Sequence, residues 1–140
     1  MGKKIVLFGG SFDLLHCGHV VQIKRAKALG DYLIVNVSSD EQVKNKKGKD
    51  RPIIPWKERA FMVNSIKDVD KIVCKNTDKL DLPNLLDSVK PDVLVTNVGN
   101  DDYDEECKKR GIKLVKLKRY VPLSELDTSK IINKIRKGGK

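Results

Sequence analysis

The only two histidines of the chain fall at a spacing of three in Gly9-Gly10-Ser11-Phe12-Asp13-Leu14-Leu15-His16-Cys17-Gly18-His19. This string follows directly on the apolar run Lys4-Ile5-Val6-Leu7-Phe8. It therefore sets a glycine pair, a hydroxyl and two imidazoles where a strand hands over to a helix. Gly9 and Gly10 are expected to let the backbone turn sharply and approach a ligand closely. The first N–H groups of the following helix have no intrahelical partner and carry the positive end of its dipole, so they suit an anion such as phosphate. His16 and His19 can aim donors at that same anion. A metal site is the competing reading, but zinc takes three or four protein ligands. The three cysteines, Cys17, Cys74 and Cys107, are scattered without ligand spacing, and no metal-binding residues are assigned.

The elements that must hold these groups are legible in the hydrophobic pattern. Residues 3–8 form an apolar strand, and residues 18–29 form a helix closed by Gly30 as its C-cap. A strand over 31–37 is followed by Ser38-Ser39-Asp40-Glu41, which caps a short helix ahead of a basic loop, Lys44 to Arg51. Pro52 and Pro55 interrupt regular structure, and a helix resumes over 56–66. Strands over 70–74, 92–96 and 113–117 alternate with helices over 82–89 and 101–110, the latter ended by Gly111. Asp127 is the expected N-cap of a last helix over 127–136. Alternating strands and helices with short connections give one α/β domain, residues 1–140, with a doubly wound, five-stranded parallel sheet. Ligands of such sheets bind beyond the carboxyl ends of the strands at the switch in strand order. The loops after the first, second and fourth strands should therefore meet.

Composition narrows the partners. The chain has 140 residues, 39% hydrophobic and 34% charged, enough for one core of ordinary size. No apolar run approaches a membrane span, and three cysteines without an evident pairing suit a reducing cytoplasm. The net charge of +10 raises nucleic acid as a partner, yet aromatics are only 5% and no reading helix or stacking motif is present. Basic stretches at Lys44–Arg51, Lys113–Arg119 and Lys134–Lys140 fit a small phosphate-bearing ligand as well as they fit a solvated surface.

Gly-Gly-Ser-Phe-Asp followed by His16-Cys17-Gly18-His19 resembles the HxGH signature of the cytidylyltransferase-like nucleotidyltransferases. The resemblance covers nearly the whole chain and implies a Rossmann-like fold. It further implies transfer of a nucleoside monophosphate from ATP or CTP to a phosphorylated small molecule, with pyrophosphate leaving. Magnesium would arrive on the triphosphate. Gly9, Gly10, Ser11, Phe12 and Gly18 would cradle phosphate, and His16 and His19 would stabilise the leaving group. Arg51-Pro52-Ile53-Ile54-Pro55-Trp56-Lys57-Glu58-Arg59 resembles the corresponding segment of heptose-phosphate nucleotidyltransferases and archaeal FAD synthases, which assigns Arg59 to the attacking phosphate. An ordinary helix arginine paired with Glu58 or Asp68 is the alternative. Lys47 is favoured over Lys44 and Lys46 as the lysine of the basic loop.

Asn97, Gly99 and Asp101 fall where relatives contact the nucleotide or second substrate, although Asp101 also suits a helix N-cap. Thr128 and Ser129 match the hydroxyl-rich start of the family's last helix. Asp127 stands where many relatives have serine, and the nearest upstream arginine, Arg119, is farther away than the family's. The Gly-Gly-Ser-Phe-Asp form is closer to ATP-using branches, so AMP transfer to FMN or a sugar phosphate is expected. Leu14-Leu15-His16 resembles the CTP-using glycerol-3-phosphate cytidylyltransferases, the alternative. A nucleotide-binding sensor without catalysis is the reading from another class. The expected assembly is a homodimer.

Overall fold

The computed structural model describes residues 2–75, 81–98 and 103–138. The elements run β1 (Ile5–Gly10), α1 (Cys17–Lys27), β2 (Tyr32–Val37), α2 (Asp40–Lys47), α3 (Trp56–Asn64), β3 (Lys71–Val73), α4 (Leu82–Val89), β4 (Val93–Asn97), α5 (Asp104–Arg110), β5 (Lys113–Leu117) and α6 (Thr128–Gly138). All strand pairs are parallel in the order β3-β2-β1-β4-β5, which is the doubly wound, Rossmann-like arrangement expected. β1 lies at the centre with β2 on one side and β4 on the other, so the switch in strand order falls at the end of β1.

Side chains alternate across the sheet with the strand period of two. Val6, Phe8, Leu33, Val35, Val93 and Val95 face one way, onto Ile23 and Ala26 of α1 and Val63 of α3. Leu7, Ile34 and Leu94 face the other way, onto Leu82, Leu85 and Leu86 of α4 and Cys107 of α5. Both faces are covered, which explains why the central strands are apolar along their whole length. None of the described helices is long and apolar enough to cross a membrane.

The structure corrects the sequence reading in three places. The lysines expected in a basic loop instead occupy the last turns of α2, whose N-cap Ser39 accepts from the Gln42 N–H at 3.1 Å. Cations there complement the negative end of the helix dipole. Ala28, not Gly30, caps α1. Gly30 is glycine for another reason: a Cβ there would lie 2.6 Å from Val6 and 2.7 Å from the Lys4 carbonyl. Gly9 and Gly10 do not make the turn after β1 either. They remain in the strand, paired with Asn36 and Val37, while Phe12 and Leu14 turn the chain at φ 53° and 52°.

Candidate active site

Asp13 organises the loop between β1 and α1. Its side chain is buried and accepts from Arg51 Nε at 2.9 Å, the Ile53 N–H at 2.8 Å and the Ile54 N–H at 3.0 Å. Burial alone would raise the carboxyl pKa; the two backbone donors and the Arg51 guanidinium outweigh it and hold the group below its ordinary value. The Asp13 carbonyl accepts from the Thr128 hydroxyl at 2.7 Å, which ties the start of α6 to the same loop. One residue thus joins three segments distant in sequence, with its polar capacity used as a buried group requires.

The two histidines are set by reciprocal capping. His16 Nδ1 accepts from the Gly18 N–H at 3.1 Å, and the His16 N–H donates to His19 Nδ1 at 3.1 Å. This is a capping box made of imidazoles in place of the usual hydroxyl and carboxylate. Because both Nδ1 atoms are acceptors, the neutral rings carry their protons on Nε2. The rings stack with centroids 3.8 Å apart. Gly18 between them is a steric requirement, since a Cβ there would lie 2.9 Å from the His16 ring. Burial, followed by the charges of His16 and Lys47, pushes the His19 pKa down to about 3. Burial also lowers His16, with Asp127 opposing and Arg119 assisting. At neutral pH the pair is a set of uncharged Nε2–H donors, and an arriving anion would favour their protonation.

The histidines line a cleft of about 370 Å³ beyond the carboxyl end of β1. Gly9, Gly10, Ser11, Phe12, Gly18, Lys47, Asn97, Thr128 and Ser129 all line it, so most residues singled out in the sequence converge. Gly99 and Asp101 lie outside the described residues. The Asn97 carboxamide is fixed by Gln22, whose Nε2 donates to Asn97 Oδ1 at 2.9 Å and to the Lys118 carbonyl at 3.1 Å.

Arg59 is the exception and a correction. It is 1% exposed and does not line the cleft. Its donors go to the Ile54 carbonyl at 2.8 Å, the Ser11 carbonyl at 2.7 Å and Asp40 Oδ1 at 2.7 Å. It holds the Ser11 backbone from behind and is turned away from any ligand in the cleft. Arg51 occupies the cleft wall instead, aimed by Asp13. Sequence reasoning passed over Arg51, Asp13 and Gln22. A signal for Arg51 existed in its place at the head of the same proline-bracketed segment. Gln22 carried none, being one polar residue in an amphipathic helix.

A second cavity of about 640 Å³ opens on the other face of the sheet, between β1, β2 and β4, the end of α2, the start of α4 and Tyr103 just ahead of α5. Leu7, Leu82, Leu85 and Leu94 supply apolar wall; Asn36, Ser38, Thr96 and Tyr103 supply polar groups. Gly9, Gly10, Ser11, Lys47 and Asn97 line both cavities. The two spaces therefore meet at the end of β1.

A cytidylyltransferase-like family model matches residues 7–134, and the chain belongs to that family. It is 41% identical to the bifunctional protein HldE of Helicobacter pylori strain J99 over 137 residues, 96% of this chain but 28% of that protein. It is 40% identical to the FAD synthase of Aciduliprofundum boonei over 136 residues, 93% of this chain and 89% of that enzyme. The crystal structure of the lipopolysaccharide core biosynthesis protein from Thermoplasma volcanium superimposes with a TM-score of 0.74 at 26% identity, covering 85% of this chain and 99% of that one.

Proposed function

We propose that the protein transfers a nucleoside monophosphate from a nucleoside triphosphate to a phosphorylated small molecule, releasing pyrophosphate. One observation carries this reading: two cavities meet at the glycine-rich end of β1 and share Ser11 and Lys47. A triphosphate in the histidine-lined cleft and an acceptor phosphate in the second cavity would bring attacking oxygen and α-phosphorus together at that junction. An acceptor phosphate oxygen attacks the α-phosphorus and the bond to the bridging α–β oxygen breaks. The electron pair and negative charge leave on pyrophosphate. No covalent intermediate is required, so positioning and charge stabilisation are the protein's contribution.

In this reading the Ser11 hydroxyl and the Phe12 N–H contact phosphate. His16 and His19 donate through Nε2 to the oxygens that gain charge. Lys47, on the wall common to both cavities, spans the acceptor and donor phosphates. Arg51 takes the role that the sequence had assigned to Arg59. The buried cleft carboxylate Asp13 is fully engaged by Arg51 and two backbone N–H groups, so Mg²⁺ would enter as part of the substrate, held mainly by phosphate oxygens.

ATP is the nucleotide we favour over CTP, and FMN the acceptor we favour over a sugar phosphate. The FAD synthase relative matches nearly end to end, and making FAD from FMN is an AMP transfer to a phosphate. The leucines and Tyr103 of the second cavity suit a ring system. Transfer of CMP to a polyol phosphate is the competing assignment. A cytoplasmic location goes with these substrates, and nucleic acid has no part in the reaction. A homodimer would cover the apolar groove between α3 and α6, where Met62 and Ile135 lie. Pyrophosphate release from MgATP and MgCTP, each against FMN, sugar phosphates and polyol phosphates, tests the proposal. MgATP with FMN should give the fastest release. Nucleotide binding without release from any pair would leave a sensor module.

A further inference from the structure

Asp127, the N-cap of α6, uses its two carboxylate oxygens differently. Oδ1 accepts from the Lys130 N–H at 2.8 Å, and Oδ2 accepts from Arg119 Nη2 at 2.6 Å. The Asp127 and Arg119 side chains line the histidine cleft. The Lys130 N–H first, and Arg119 after it, hold the carboxyl below its ordinary pKa, so it is an anion at neutral pH. A negative group seated on a helix N-terminus and gripped by a guanidinium is the arrangement a phosphate oxygen would make in the same place.

The surroundings leave one part free to move. On one side of Arg119, the Lys118 carbonyl is fixed by Gln22 and by Arg25 Nη1 at 3.2 Å. On the other side, the Tyr120 ring packs under the Arg25 guanidinium at 5.4 Å. The backbone around residue 119 is thereby fastened to α1. The Arg119–Asp127 pair itself is exposed, at 57% and 29% of the two side chains. An exposed ion pair is cheap to break, so the Arg119 side chain can change partner without the fold changing.

We infer that Asp127 is a resident stand-in for phosphate, which parks Arg119 in the ligand-free protein and is exchanged for an outer phosphate oxygen when the nucleotide binds. This rests on the nucleotide reading of the cleft. Two consequences follow. The cleft is partly self-neutralised, so a single phosphate competes poorly with the carboxylate for Arg119. A polyphosphate, held at several other points, prevails and gains Arg119 as an additional contact. Asp127 thus weakens anion binding overall and sets a preference for ligands with more than one phosphate.

Calorimetric titration of inorganic phosphate, pyrophosphate and MgATP at one ionic strength tests this with the full chain. Asp127→Ser retains an N-cap acceptor and should melt close to the parent. It should bind pyrophosphate and MgATP about tenfold more tightly and inorganic phosphate measurably for the first time. Arg119→Ala should weaken pyrophosphate binding, and in that background Asp127→Ser should recover less than threefold. Equal or weaker pyrophosphate binding by Asp127→Ser, or an undiminished gain without Arg119, overturns the inference. If MgATP binds the parent but Asp127→Ser binds it no better, the stand-in fails and the nucleotide reading survives. If pyrophosphate shows the expected pattern while no nucleotide binds, the reverse holds.

Discussion

Asp13 and Asp127 are both carboxylates paired with an arginine on the rim of one cleft, yet they are built for opposite purposes. Asp13 holds Arg51 at 2.9 Å with side-chain exposures of 1% and 11%, and two backbone N–H groups complete its shell. Asp127 holds Arg119 at 2.6 Å at the protein surface. A buried, fully satisfied carboxylate cannot let go without leaving donors stranded, so it fixes the loop that carries Ser11, Phe12 and the histidines. An exposed pair can be remade at little cost. In the proposed reaction, the groups that would meet the reacting bond stand on the rigid rim, and the grip on the outer phosphates would stand on the adjustable one.

The contrast can be broken most directly through stability. Asp13→Ala should cost about 3 kcal/mol, because it strands Arg51 and two backbone donors. Asp127→Ser should cost less than about 1 kcal/mol. Urea unfolding of the two variants decides it, and equal losses would erase the distinction between the rims.

Next in size is catalysis on the rigid rim. Replacing His16 or His19 with alanine should slow turnover about a hundredfold or more, about 2.7 kcal/mol of barrier, as expected for loss of one transition-state donor. Steady-state pyrophosphate release reads this, and rates within a few fold of the parent would remove the histidines from the mechanism. Arg59→Leu should lower stability by about 2 kcal/mol, since the Ser11 and Ile54 carbonyls lose their donor. Melting measured beside kinetics separates this from ligand contact, because loss of activity at unchanged stability would return Arg59 to the cleft.

Lys47→Ala should reduce turnover about tenfold with little change in melting temperature, whereas Lys49→Ala should change neither. Parallel kinetics at one salt concentration compare them, and matching near-parental rates would make both lysines part of the solvated surface.

A further difference is a slope with pH. His19 has a folded pKa of about 3, below its ordinary value of 6.5, so the unfolded chain takes up a proton there that the folded chain refuses. Stability contributed by the neutral ring is full above about pH 6.5 and declines as pH falls toward 3, by up to about 1.4 kcal/mol per pH unit. His19→Gln should flatten the stability profile between about pH 6.5 and 5, where carboxylates have barely begun to titrate. An unchanged profile there would contradict the buried, neutral ring.

These contrasts also mark what was legible in the sequence. The order of strands and helices was, because apolar strands with period-two faces and capping residues such as Ser39 and Asp127 are local signals. The histidine pair was too, since Gly18 and both imidazoles act within one turn. Which arginine of the 51–59 segment lines the cleft was not, because Arg51 and Arg59 share that segment. Only the packed chain shows that Asp13 reaches one while Ser11, Ile54 and Asp40 enclose the other. Arg119 was hard to place for a related reason: its distance from the last helix is long in sequence and closed in space by Asp127. The second cavity left no pattern, being assembled from β1, β2, β4, α2, α4 and Tyr103.

The proposed reaction requires the two cavities to hold two substrates at once and to join at Lys47. It is tested most directly with an ATP analogue whose α–β bridge is methylene, which cannot release pyrophosphate, and whichever acceptor supports release in the screen. Titrating the acceptor into protein saturated with the analogue should give a ternary complex of unchanged acceptor stoichiometry, with Lys47→Ala weakening both ligands. Mutual displacement of analogue and acceptor would contradict it, since the two would then be occupying a single space.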